Sequence, residues 1–119
     1  MKSRMIQLTL VAIAMVGLAL AAFADDWTSF TYLGDGVSVS FARVTSDTYT
    51  WKFRNDLSSR ITYMKFRYSY VDANSGILQI ERDVLPGTLR SGEVFGGWSA
   101  FTSNSRVPPT ISILEIERN

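Results

Sequence analysis

Apolar and polar residues alternate in short runs from Trp27 to the C-terminus, and no part of that stretch repeats with the 3.6-residue period of an amphipathic helix. The first run, Trp27 to Leu33, ends at Gly34-Asp35-Gly36, a strong turn signal. The second sets Val37, Val39 and Phe41 against Ser38, Ser40 and Ala42. The third sets Tyr49, Trp51 and Phe53 against Thr50, Lys52 and Arg54. After the polar turn Asn55 to Ser59, a long strand from Ile61 to Val71 carries Met64, Phe66, Tyr68 and Tyr70 on one face. Asp72-Ala73-Asn74-Ser75-Gly76 closes it. The fifth strand, Ile77 to Val84, alternates Leu78, Ile80 and Val84 with Gln79, Glu81 and Asp83. A linker with Pro86-Gly87 leads to a sixth strand, Val94 to Phe101, where Gly96-Gly97 marks a bulge or a close backbone approach. Pro108-Pro109 precedes a seventh, Ile111 to Ile116. Short strands at this spacing, without a helix, predict an all-β domain: a single seven-stranded antiparallel immunoglobulin-like sandwich. A small closed barrel is the structural alternative.

The N-terminus follows a different pattern. Lys2 and Arg4 precede an apolar run from Met5 to Leu20, and Ala22-Phe23-Ala24 supplies the small-x-small site that signal peptidase accepts, with Asp25-Asp26 just beyond. Residues 1–24 therefore read as a cleavable secretory signal and residues 25–119 as the β domain. The competing reading is a membrane anchor, because the apolar stretch nearly reaches the ~20 residues a spanning helix needs. The cleavage motif and the acidic residues after it favour removal, with no membrane insertion afterwards. The expected location is the periplasm or the extracellular medium.

Cleavage changes the charge picture. The chain holds 12 Lys+Arg and 11 Asp+Glu, net +1; loss of Lys2 and Arg4 leaves ten cations against eleven acids, near −1. That balance offers no global argument for nucleic acid as a partner. Cysteine is absent, so an exported domain of about 95 residues must rely on burial instead of disulfides, and 14 aromatics beyond Phe23 suit that demand. Histidine is absent too, which removes the commonest general base and the commonest metal ligand.

Four groups of residues are candidates for chemistry. Matching the aromatic faces of the third and fourth strands as a hairpin pairs Phe53 with Met64, Trp51 with Phe66 and Tyr49 with Tyr68. The opposite face then sets Lys52 across from Lys65 and Thr50 across from Arg67, with Arg54 beside Tyr63. Like charges directly opposite are destabilising, so such a face calls either for an anionic partner, with Tyr63 available to stack, or for a neighbouring strand bringing Glu81, Asp83, Glu115 or Glu117 alongside. Trp98, after two glycines, is either a core residue or an exposed platform for a sugar or protein. Glu115 and Glu117 sit about 6.5–7 Å apart on one strand face, but nothing else marks a hydrolase cleft. Asp72, Asn74 and Ser75 read as a turn lacking the further ligands a calcium site needs. No catalytic residue, metal site or cofactor is expected.

From Tyr49 to about Thr102 the order of features resembles small bacterial extracytoplasmic β-sandwich domains of the FxLYD and related immunoglobulin-like type. The matching elements are Trp51-Lys52-Phe53-Arg54-Asn55, the long strand Ile61 to Tyr70, the turn Asp72 to Gly76, and Leu89-Arg90-Ser91-Gly92-Glu93, with Ser91 where proline is usual. The resemblance implies an accessory or interaction module without a catalytic site, and it carries over no functional residue. The expectation is a non-enzymatic exported domain that contacts another protein, in a chaperone-like version through its edge strands. The alternative is an envelope module for a glycan or small ligand, using Trp98 or the Lys52/Lys65 face.

Overall fold

The computed structural model describes residues 27–103 and 107–119; the expected signal, residues 1–24, lies outside the described residues. Seven strands follow in order: β1 Thr31–Gly34, β2 Val37–Arg43, β3 Thr48–Asn55, β4 Ile61–Val71, β5 Leu78–Val84, β6 Val94–Phe101 and β7 Thr110–Arg118. Their bounds fall within a few residues of those read from the alternation. They form two antiparallel sheets, one ordered β1-β2-β3-β6 and the other β5-β4-β7. The sandwich expectation holds, with no helix among the described residues.

The pairings β3–β6 and β4–β7 each skip two strands, as B–E and C–F do in immunoglobulin domains. β5 lies beside β4 where the variable type adds a strand. Among the described residues nothing occupies the place of a last strand beside β7.

β3 and β4 do not form a hairpin; they belong to opposite sheets, joined by the turn after Asn55. Their aromatic faces meet across the core instead of along a ladder. Phe53 and Phe66 approach edge to face with ring centroids 4.9 Å apart, and Trp51 lies 4.8 Å from Tyr68. Alternation forces these side chains inward in either arrangement, and facing sheets bury them on both sides. Trp51, Phe53, Ile61, Met64, Phe66 and Val37 are fully buried.

The glycines of β6 serve both anticipated purposes. Trp51 pairs with Trp98 and Lys52 with Gly96, so Gly97, at φ 127°, is the extra residue of a bulge. A Cβ on Gly96 would fall 2.9 Å from the Trp51 carbonyl oxygen and 2.8 Å from the Lys52 Cβ. The bulge re-aims Trp98 into the gap between the sheets.

Asp56, just after β3, accepts hydrogen bonds from the Ser38 hydroxyl and, at 2.6 Å, from Arg54 Nε. Partial burial pushes its carboxyl upward, but the Ser38 and Arg54 bonds and the charges of Arg54 and Arg118 outweigh that and hold it below the ordinary carboxylate value. A depressed pKa contributes stability that is present above the unfolded value of about 3.9 and lost as pH falls through the folded one. Asp56→Asn is therefore expected to be less stable than the parent near neutrality and to converge with it in acid. Denaturant unfolding near pH 7 and near pH 2.5 checks this; a constant gap at both would show that the carboxylate's charge is not what stabilises the turn.

Candidate functional site

The correction of the β3–β4 pairing divides the predicted cationic residues between two outer faces. Lys52 and Arg54 lie on the outer side of β3, where the segment Trp27–Phe30 covers them. Lys52 Nζ sits 4.0 Å from the centre of the Trp27 ring, and the Arg54 guanidinium 4.3 Å from that of Phe30. Ser40 and Ser38, directly opposite these cations on β2, are small and buried. Thr28 fixes the covering segment through its N–H on the Phe41 carbonyl and its carbonyl on the Ser40 hydroxyl. Both cations thus hold down the N-terminal segment, each by an interaction of about 0.5–1 kcal/mol.

Tyr63, Lys65 and Arg67 lie on the outer side of β4. On the β7 side, Tyr63 pairs with Glu117 and Lys65 with Glu115, so a neighbouring strand does bring acids alongside, as one of the two readings anticipated. On the β5 side the picture differs. Arg67 is directly opposite Arg82, and neither has an ion-pair partner among the described residues. Sequence reasoning overlooked Arg82, because only the ladder reveals what stands across from Arg67.

Trp98 is half-buried between the sheets. Its ring meets Phe53, Phe66 and Phe95 edge to face, and its Nε1 donates to the Asp83 carboxylate at 3.1 Å. It bridges β6 to β5 and offers no open platform.

The side chains of β5 point opposite to the usual sense of an antiparallel sheet, with polar residues toward the sheet margin and apolar ones toward solvent. Gln79, Glu81 and Asp83 share the side of Tyr70, Tyr68 and Phe66; Leu78, Ile80, Arg82 and Val84 share the outer side with Val71, Ser69, Arg67 and Lys65. Leu78 is 58% exposed, Ile80 50% and Val84 41%, and Ile77 at the strand's start is 62% exposed. A one-residue slip would turn these side chains inward. The register is held against it at both ends. Asp72 Oδ2 accepts from the Asn74 and Ser75 N–H groups, and the turn ties to β6 through Ala73 N–H on the Phe101 carbonyl. At the far end Leu85 is buried, with its N–H on the Met64 carbonyl.

Charge is likewise sorted by side. Glu81 and Asp83 lie on the side of Tyr68 and Phe66, whereas Arg82 lies with Arg67 and Lys65 on the outer side; burial, then the negative charges of Glu81 and Asp72, push the Tyr70 phenol upward. β5 is also a sheet edge, so one row of its backbone groups has no strand partner among the described residues. The opposite edge of the same sheet, β7, borders a shallow groove of about 510 Å³ lined by Tyr32, Asp35, Gly36, Leu57, Ile116 and Arg118. Arg118 closes one end of it by donating to the Asp35 and Gly36 carbonyls. No group of three or more His, Cys, Asp or Glu residues that could hold a metal occurs among the described residues.

Comparison with known proteins finds no matching family model, no matching curated protein and no matching solved structure.

Proposed function

We propose that this chain is an exported, non-enzymatic binding module that contacts another protein through strand addition at the edge of β5. One observation carries the reading: an edge strand, pinned in register at both ends, turns its apolar side chains to solvent. An edge with exposed apolar side chains is an aggregation hazard that soluble domains ordinarily blunt with charge, proline or cover; β5 carries Glu81, Arg82 and Asp83 yet leaves Leu78, Ile80 and Val84 exposed. Keeping one is consistent with an intermittent occupant, and an extended segment satisfies both the open backbone row and the apolar side chains. The signal-like residues 1–24 support export, and a chaperone-like role in masking partner strands fits the same edge. The glycan or small-ligand alternative drew on Trp98 and a Lys52/Lys65 pair. With Trp98 packed between the sheets and the two lysines on opposite faces, the protein partner is the better-supported reading.

The test places a photo-reactive benzophenone side chain at Leu78, Ile80 or, as control, exposed Arg90 in the full chain expressed in cells. The expected result is a mature N-terminus at Asp25 and a cross-linked species of one defined mass from positions 78 and 80 but not 90, mapping to an extended segment of the captured protein. Folded, exported protein that yields no adduct at 78 or 80 would overturn the binding reading. An intact N-terminus in the cytoplasm would overturn export.

A further inference from the structure

The arrangement of charge on β5 specifies the segment it would accept. Added beside β5, a strand lays one row of side chains along Leu78, Ile80, Arg82 and Val84 and the alternate row along Gln79, Glu81 and Asp83, because directly opposite residues share a side. The first row is apolar except at Arg82, which has Arg67 directly behind it and Lys65 on the same side two residues from Arg67. Those like charges repel across the ladder, and neither arginine has an ion pair among the described residues. Glu81, exposed on the second row, adds its negative charge at Tyr70. Asp83 on that row is already engaged by the Trp98 indole N–H.

We infer that the partner segment is an extended stretch with an apolar outer row, carrying a carboxylate side chain opposite Arg82 and, on the adjacent residue, a cation opposite Glu81. This rests on the reading of β5 as the docking edge and deepens it. A lipid surface would meet the cations and apolar side chains but leave the open backbone row unsatisfied. A second copy pairing β5 to β5 antiparallel about Glu81 or Arg82 would set like charges opposite each other, and about Ile80 would leave Glu81 opposite Gln79 and Arg82 opposite Leu78, both without a countercharge. A strand of the stated chemistry meets all three demands: backbone, apolar row and alternating charge.

The experiment uses two isomeric acetylated nonapeptides of equal composition and net charge. Both have valine along the outer row; one carries Glu opposite Arg82 and Lys opposite Glu81, and the other has the two exchanged. Binding to the native domain is followed by amide chemical shifts. Reversing two cross-strand charge pairs predicts roughly tenfold tighter binding of the matched isomer. Shifts should concentrate on β5, and the double variant Glu81→Arg/Arg82→Glu should invert the preference. Equal binding of the isomers would overturn the inference. So would vesicles of anionic phospholipid binding where neither peptide does, or shifts on β5 that depend only on the protein's own concentration. Site-specific cross-linking from position 80 that persists alongside equal isomer binding would sink this inference and leave the docking edge standing; loss of that cross-linking would sink both.

Discussion

Trp51→Ala is expected to lower stability by about 3–5 kcal/mol, the usual cost of truncating a fully buried aromatic and leaving a cavity. Trp51 is 0% exposed and stands at the centre of the core, 4.8 Å from Tyr68, stacked on Trp98 and tilted against Phe41. A domain of this size has about 5–15 kcal/mol in all, and each kcal/mol moves the melting temperature by some 4–8 °C. A fall of at least ~12 °C is therefore predicted. Trp51→Phe separates packing from polarity. The indole N–H is buried with no acceptor among the described residues, a burden of about 1–3 kcal/mol that phenylalanine removes while keeping a ring in the stack. The phenylalanine variant should lose much less than the alanine one. An unchanged melting temperature for Trp51→Ala would mean that the inward face of β3 is wrongly assigned.

How much of this was legible beforehand depended on whether the signal was local. Alternation and turn residues located all seven strands, and for β4 and β6 the read and observed bounds coincide at Ile61–Val71 and Val94–Phe101. Gly96-Gly97 was readable as a bulge because two glycines in mid-strand have few other uses. Partner choice was not local. Trp51 and Phe66 point inward whether their strands lie side by side or face to face, so the aromatic match suggested a hairpin where the chain changes sheets. The change of sheet also separates the cations. Lys52 is neutralised as a candidate by Trp27, a residue 25 positions upstream whose reach across Ser40 no periodicity encodes. Arg82 became visible only as the residue opposite Arg67. On β5 the alternation was correctly seen, but period two says which residues share a side and not which side faces water. That is decided by the turn at Asp72 and the anchor at Leu85.

Asn55 shows the same limit in a polar residue. Sequence marks it only as the end of a strand, yet it is fully buried and its side-chain amide makes four hydrogen bonds. Nδ2 donates to the Ser59 and Leu89 carbonyls at 2.9 and 3.0 Å; Oδ1 accepts from Leu57 N–H at 3.1 Å and from Arg118 Nη1 at 2.9 Å. Arg118 in turn donates to Ser59 and to the β1–β2 turn, so one buried amide joins β3, the loop before β4, the linker after β5 and the end of β7. Asn55→Ala leaves the Leu89 carbonyl with the Ile61 N–H as its donor, takes the acceptor from the Leu57 N–H and removes one of the Arg118 acceptors. Each of those groups keeps another partner or lies near solvent, so at about 0.5–1.5 kcal/mol for each hydrogen bond lost the expected loss is about 2–3 kcal/mol. Arg118→Ala should cost less, because its carbonyl acceptors near the surface can turn to water. The double variant should lose less than the two singles together, by roughly 1 kcal/mol or more, because both remove the same contact. Strict additivity in equilibrium unfolding would show that Asn55 and Arg118 act independently.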